Sequence, residues 1–276
     1  MSGRPPLYAE LSRSLRAQDP FALATVTELE LEEGPTARGL RLGAKMLVRP
    51  GEAPLGSMGS EELDRIVARD ALAAVERGTT VTRHYGSRGE ARRRDVTVFV
   101  EVFSPPPRLV IFGAVDFTAA LAHVGRLLGF RVTVCDARPI FATKARFPMA
   151  DEIVVDWPDR YLERIASELG PRDAVCVLTH DTKFDVPAVL GALKTDVGYL
   201  GAMGSRRTHD ERWKRLLEAG AEEGALRTRL MSPIGLDIGA RTPEETAVAI
   251  AAEIISERTG TDLPSLRDRN GPIHRR

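Results

Sequence analysis

Apolar positions along this chain follow two regimes, and the change between them divides it. Over the first hundred residues the pattern is mixed. Residues 7–17 carry apolar positions at helical spacing and predict a short amphipathic helix, whereas Phe21–Leu29, Lys45–Val48, Val81–Tyr85 and Val96–Phe103 read as strands. Between them, Ser60 stands where a helix cap is needed, and Glu61 and Glu62 suit the positive end of the helix dipole. Leu63, Ile66, Val67 and Ala71 form the stripe of that helix, and Gly78 closes it.

From Arg108 onward, short apolar runs alternate with helical ones. Leu109-Val110-Ile111-Phe112 ends at Gly113-Ala114. A helical stripe follows, with Phe117, Leu121, Val124, Leu127 and Leu128 on one side, and Gly129 stops it. A second run, Val132-Thr133-Val134-Cys135, ends on Asp136. Strands at 153–155, 174–178 and 197–200 then alternate with helices at 159–169, 184–193 and 205–219. Thr242, Pro243 and Glu245 open a last helix with a capping box. The alternation predicts an α/β chain: a C-terminal Rossmann-like, doubly wound parallel sheet behind a smaller α+β N-terminal domain. Ser104-Pro105-Pro106-Pro107 continues neither sheet nor helix, so the expected domains are 1–104 and 105–276.

Composition narrows the function classes. Lys+Arg and Asp+Glu balance at 39 each, which gives no basic excess for nucleic acid, and Arg92-Arg93-Arg94 reads as a solvated turn. No apolar run approaches a membrane span, and the first residues lack an apolar signal core, so a cytoplasmic protein is expected. The two cysteines, Cys135 and Cys176, sit inside strand-like runs without metal-ligand spacing and read as packed thiols.

Ligands of open parallel sheets bind outside the carboxyl ends of the strands. That rule gathers five candidate stretches on one edge. At Gly113-Ala114 the dinucleotide fingerprint is broken, because Val115 stands where its second glycine belongs and Asp116 repels a phosphate. Asp136 lies 23 residues after Gly113, the spacing of a ribose-binding acid. Gly201 and Gly204 lead into Ser205-Arg206-Arg207 at a helix start, where N–H groups, a hydroxyl and two guanidinium groups form a candidate anion site. The same arginines can instead pair with Asp210 and Glu211. His180, beside Asp181, would project from a strand end, and Asp237 and Arg241 lie in a Gly-bounded loop before the last helix. His123 and His209 read as helix-surface residues. No nucleophile–base arrangement is supported by spacing.

At these residues the chain resembles the XdhC/CoxI family of accessory proteins for molybdenum hydroxylases such as xanthine dehydrogenase and carbon monoxide dehydrogenase. The resemblance rests on FALATVTEL, LGAKMLV and GSMGSEELD in the first part. In the second it rests on GFRVTVCDARPIFA, DAVCVLTHDTKFDVPAVLGAL, GYLGAMGSRRTH and PIGLDIGARTPEETAVAIAAEI. It implies a chaperone that binds molybdenum cofactor (molybdopterin or its dinucleotide form), guards it during sulfuration and delivers it to a client hydroxylase. It also implies a homodimer and a sulfur-donating desulfurase partner. Gly113, Ala114, Asp136, His180, Gly201, Gly204, Ser205, Arg206, Arg207, Asp237 and Arg241 become the cofactor-binding candidates. The chain departs from the family at Ser60, Glu61 and Glu62, which replace two glycines and a cysteine, and at the Gly113 turn. NAD(P)-dependent oxidoreduction and a ligand-free regulatory paralogue are the alternatives.

Overall fold

The computed structural model describes residues 7–30, 39–87, 90, 94–179 and 181–261. His180, Gly34-Pro35, and Arg92 and Arg93 lie outside the described residues. The chain falls into two compact units, 1–105 and 106–276.

In the first unit, β1 (Phe21–Leu29) is the central strand of a five-stranded sheet. The others are β2 (Lys45–Val48), β3 (Leu55–Gly56), β4 (Val81–Tyr85) and β5 (Val96–Phe103). Their order is β3-β2-β1-β5-β4, and every neighbouring pair is antiparallel. Helix α1 (Leu7–Ala17) is tied to the end of β2 by a 2.6 Å ion pair between Glu10 and Arg49. Helix α2 (Glu61–Arg77) starts at Ser60, whose hydroxyl accepts from Leu63 N–H, and ends at left-handed Gly78. Its apolar face, Leu63, Val67, Ala71, Ala74 and Val75, is buried on Ala22, Ala24 and Val26 of β1 and Val96, Val98 and Val100 of β5. Alternate strand residues thus face the helix, as a period of two requires. Glu61 and Glu62 occupy the exposed first turn of α2, where their charge suits the helix dipole.

The second unit is a six-stranded, all-parallel sheet. Its strands are β6 (Arg108–Phe112), β7 (Arg131–Cys135), β8 (Glu152–Val154), β9 (Ala174–Val177), β10 (Tyr199–Ala202) and β11 (Leu230–Met231). The order is β8-β7-β6-β9-β10-β11. Counted from β6, this is the 3-2-1-4-5-6 order of the dinucleotide-binding fold, and the direction of winding reverses between β6 and β9. Among the described residues the α-helices of this unit are α3 (Asp116–Leu127), α4 (Pro158–Ile165), α5 (Thr182–Leu193), α6 (Arg206–Glu218), α7 (Glu223–Arg229) and α8 (Pro243–Thr259). Leu109, Ile111, Ala174 and Cys176 face a core shared with α3 and α8. Val110, Phe112, Val175 and Val177 face a core shared with α4, α5, Leu216 of α6 and Leu226 of α7. Both faces are covered, which explains why the strands read as unbroken apolar runs.

Two helical details differ from the sequence expectation. The buried face of α3 is Thr118, Leu121, Ala122 and Gly125, while Leu127 is 81% and Leu128 40% exposed. Gly125 sets this face: a Cβ there would meet Leu109 Cδ2 at 2.5 Å, so the helix lies on the sheet through its smallest residue. His209 is half-buried, with its ring 5.5 Å from that of Trp213, instead of standing free on α6.

Candidate functional site

The winding reversal places the ends of β6 and β9 side by side. Gly113 leaves β6 at φ +108°, and a Cβ there would stand 2.8 Å from Thr179 N. Only glycine meets both constraints, so this residue is fixed by packing of the chain on itself. The N–H groups that follow are also committed. Gly113 N–H donates to Cys135 O at 2.9 Å, Ala114 N–H to Asp136 Oδ2 at 2.8 Å, and Val115 N–H to Thr118 Oγ1 at 3.4 Å. The Thr118 hydroxyl in turn donates to Gly113 O. Val115 itself is extended, with φ −110°, so its branched side chain carries no backbone strain.

Asp136 is 4% exposed and fully engaged. Besides Ala114 N–H, it accepts from Arg138 N–H and Nε at 2.9 Å each and from Arg138 Nη2 at 2.8 Å. Burial raises its pKa, but the Arg138 guanidinium and the two backbone donors outweigh burial and hold the carboxyl below its ordinary value. A ribose diol would have to displace these partners. Arg138 also lies 4.6 Å from the centre of the Phe141 ring, and Arg146 lies 5.6 Å from the same ring while donating to Ala114 O at 3.1 Å. Two cations therefore flank the Gly113 turn. Arg146 partly offsets Asp116, with 3.7 Å between the charged groups. Sequence reasoning missed both arginines; the usable signal was DARPIFATKAR directly after a strand-end acid. On the far side of Arg138, Phe184 packs on Trp157 with 5.0 Å between ring centres.

The loop after β10 is built differently. Gly201 is buried, and a Cβ there would meet Ile234 at 2.5 Å, so it serves packing against the loop before α8. Ser205 caps α6: its hydroxyl accepts from Thr208 N–H at 3.2 Å and lies 2.9 Å from Thr208 Oγ1. Arg206 and Arg207 project from the exposed first turn. Arg207 Nε donates to Glu211 at 3.1 Å, while Arg206 has no ion-pair partner among the described residues. The buried cation of this region is Arg212, one turn further on. Its Nη2 donates to Asp185 at 2.9 Å and to Met203 O at 2.6 Å, and its Nη1 donates to Ser232 Oγ at 3.2 Å. This link between α5, α6 and the loop after β11 was not anticipated from sequence, because Arg212 reads as one more charge on a polar helix.

The last loop is pinned at Gly235. Gly235 N–H and the buried Tyr199 hydroxyl both donate to Glu253 Oε2 on α8, at 2.8 and 2.5 Å. Burial first, with Cys176 and the Glu253 charge adding to it, holds the Tyr199 phenol protonated. Beyond the pin, Asp237 and Arg241 are exposed. Arg241 N–H donates to Glu245, the acid of the α8 capping box. The described candidates thus share an edge, but Gly113, Ala114, Asp136 and Gly201 serve the scaffold, whereas Ser205, Arg206, Arg207, Asp237 and Arg241 face outward. Both thiols are buried. Burial pushes Cys135 up to about 12 and raises Cys176 as well. Among the described residues no group of three or more His, Cys, Asp or Glu could hold a metal ion, and no helix is long and apolar enough to cross a membrane.

Comparison with known proteins adds the family. A model described as the XdhC Rossmann domain matches residues 109–254, and one described as the XdhC and CoxI family matches residues 14–86. The chain is 35% identical over 161 residues to a Bacillus subtilis protein named as a probable xanthine dehydrogenase subunit, covering 58% of this chain and 46% of that protein. It is 27% identical over 156 residues to the molybdenum cofactor insertion chaperone PaoD of Escherichia coli, covering 56% of this chain and 42% of that one. The matches thus span less than half the length of these relatives. A solved structure titled as a xanthine dehydrogenase from Bacillus halodurans aligns with a TM-score of 0.50 at 22% identity, over 92% of this chain and 96% of that one. At that identity the likeness shows the fold alone.

Proposed function

The chain belongs to the XdhC/CoxI family, and from that premise we propose that it is an accessory chaperone that binds molybdenum cofactor and passes it to a molybdenum hydroxylase. The cofactor, molybdopterin or its dinucleotide form, is cargo here, held on the carboxyl edge of the six-stranded sheet. The observation that carries this reading is the division of that edge. The Gly113 turn keeps the dinucleotide topology, but its first three N–H groups are spent internally. Outward-facing donors lie instead at the start of α6, where Ser205, Arg206 and Arg207 surround the positive end of a helix. The name of the PaoD relative supports the same cargo. In this reading Ser205, Arg206 and Arg207 take the phosphate, with His180, Asp237 and Arg241 as further contacts.

The NAD(P) alternative draws on the same strand order. It meets two obstacles: the turn that would take a pyrophosphate has committed its donors, and Asp136 is held by Arg138. Sulfuration, in the proposal, is left to a desulfurase partner, because the chain's two thiols are buried and protonated. A homodimer and a docked client complete it. The test is anaerobic mixing of the purified protein with free molybdenum cofactor followed by gel filtration. Molybdenum and pterin should elute with the protein in fixed proportion. If neither is retained while NADPH binds saturably, the oxidoreductase reading replaces this one.

A further inference from the structure

Helix α5 begins just after β9 and α6 just after β10, so their first turns stand next to each other on one face of the carboxyl edge. Between them is a cavity of about 400 Å³, lined by Thr182, Asp185, Val186, Thr208, Glu211 and Arg212. That volume falls in the ~300–1,000 Å³ range of small-molecule pockets. Its chemistry is mixed. Arg212 is only 2% exposed and has five N–H bonds to satisfy. Asp185, Met203 O and Ser232 take three of them, and Nε–H has no hydrogen-bond partner among the described residues. A buried donor without an acceptor is costly, so an acceptor brought in from outside is favoured there. At the rim, Glu211 is about half exposed, with one oxygen taken by Arg207 and the other 3.8 Å from Arg215. That second oxygen retains capacity to accept. The Thr182 and Thr208 hydroxyls can work in either sense.

A bare oxyanion would meet Arg212 but also the carboxylates of Asp185 and Glu211. A simple amine would meet the reverse conflict. The lining suits a ligand that offers an oxo acceptor and N–H donors along a single edge. We infer that this cavity receives a planar 2-amino-4-oxo heterocycle, the edge shared by pterins and guanine, with the oxo group toward Arg212 and the amino side toward Glu211. The inference rests on the cofactor reading above and gives the pterin end of the cargo its own pocket, beside the phosphate contacts at Ser205 and Arg206.

Two measurements test it on the full chain. The first is fluorescence titration with pterin and with lumazine, in which oxo replaces the 2-amino group. Pterin should bind at least tenfold more tightly than lumazine, and Glu211→Gln on the exposed rim should shrink that ratio toward one. The second is anaerobic cofactor retention by Val186→Phe, which fills the cavity from its wall, with its fold checked by circular dichroism and thermal melting. Retention should fall at least tenfold. Should Val186→Phe misfold, the Glu211→Gln ratio decides alone. If the parent protein retains cofactor and Val186→Phe retains it equally, the pocket inference falls and the chaperone reading stands. Equal binding of pterin and lumazine, or competition against pterin by inorganic phosphate alone, also overturns it. A parent protein that retains no cofactor removes the chaperone reading and this inference together.

Discussion

At the end of β6 the chain turns through Gly113 with the donors of the turn already engaged. At the end of β10 it turns through Gly204 into a helix that opens with two arginines. The two turns lie on the same edge of the same sheet, yet their electrostatics are opposite in kind. The first is closed: Asp136 draws Ala114 N–H and Arg138 onto itself, and Arg146 caps the turn through Ala114 O. The second keeps its charge on the surface and buries another cation, Arg212, behind it. Topology alone therefore does not distinguish the two turns; the fate of their N–H groups does.

Each half of this comparison can be broken separately. The largest effect is expected at Arg212→Met, which leaves the Asp185 charge buried beside Met203 O without its guanidinium. Removing one partner of a buried pair costs about 3–5 kcal/mol, read as a fall in the urea midpoint. A loss under about 1 kcal/mol would mean that this link does not hold α5 to α6.

Next comes Asp136→Ala, which strands the buried Ala114 N–H and frees Arg138. Each stranded donor costs about 1–3 kcal/mol. The sign of the pH dependence follows from the depressed carboxyl. The contribution of Asp136 is complete above its ordinary value of 3.8 and is lost as pH falls through the lower native value. The gap between parent and variant should therefore close under acid, as urea unfolding at neutral pH and at successively lower pH can follow. A gap of constant size would rule out the Arg138 pairing.

The smallest effect on stability is expected from Arg206→Ala with Arg207→Ala. The exposed pair to Glu211 contributes about 0.3–0.5 kcal/mol, and two cations at a helix start oppose the dipole by a similar amount. Cofactor retention should nevertheless weaken by about 1.5–3 kcal/mol for each charge-assisted bond removed. Unchanged retention would move the phosphate away from α6.

Most of the fold was legible because local signals and tertiary packing agree. Ser60 and Gly78 bound α2 as capping chemistry requires, and Thr242-Pro243 with Glu245 starts α8. The runs at Leu109, Val132 and Ala174 became parallel strands. The short elements escaped notice. Helix α7 has seven residues, a glycine among them and little apolar stripe, while β3 and β11 have two residues each. They exist because longer neighbours position them. The Leu127 and Leu128 stripe misled for the complementary reason: Gly125 decides which side of α3 touches the sheet, and a glycine carries no weight in an apolar pattern. At the site, the glycines and arginines were visible, but what each does was not. Gly201 makes room for Ile234, and Asp136 answers Arg138 and Ala114 N–H. Such roles depend on partners 2 to 33 positions away in sequence, and spacing alone does not reveal them.

The two buried cysteines bear on how this protein ages in air. Cys135 and Cys176 lie on strands separated by β6 and face opposite cores of the sheet, each fully covered and each held as a thiol by its surroundings. Oxidants attack thiolates that they can reach. The folded chain therefore offers neither a crosslinking handle nor a sulfenic acid. Exposure to oxygen should leave its mass at these residues and its migration without reductant unchanged. Under the chaperone reading proposed above, oxygen damage to a loaded sample is then expected to fall on the cargo.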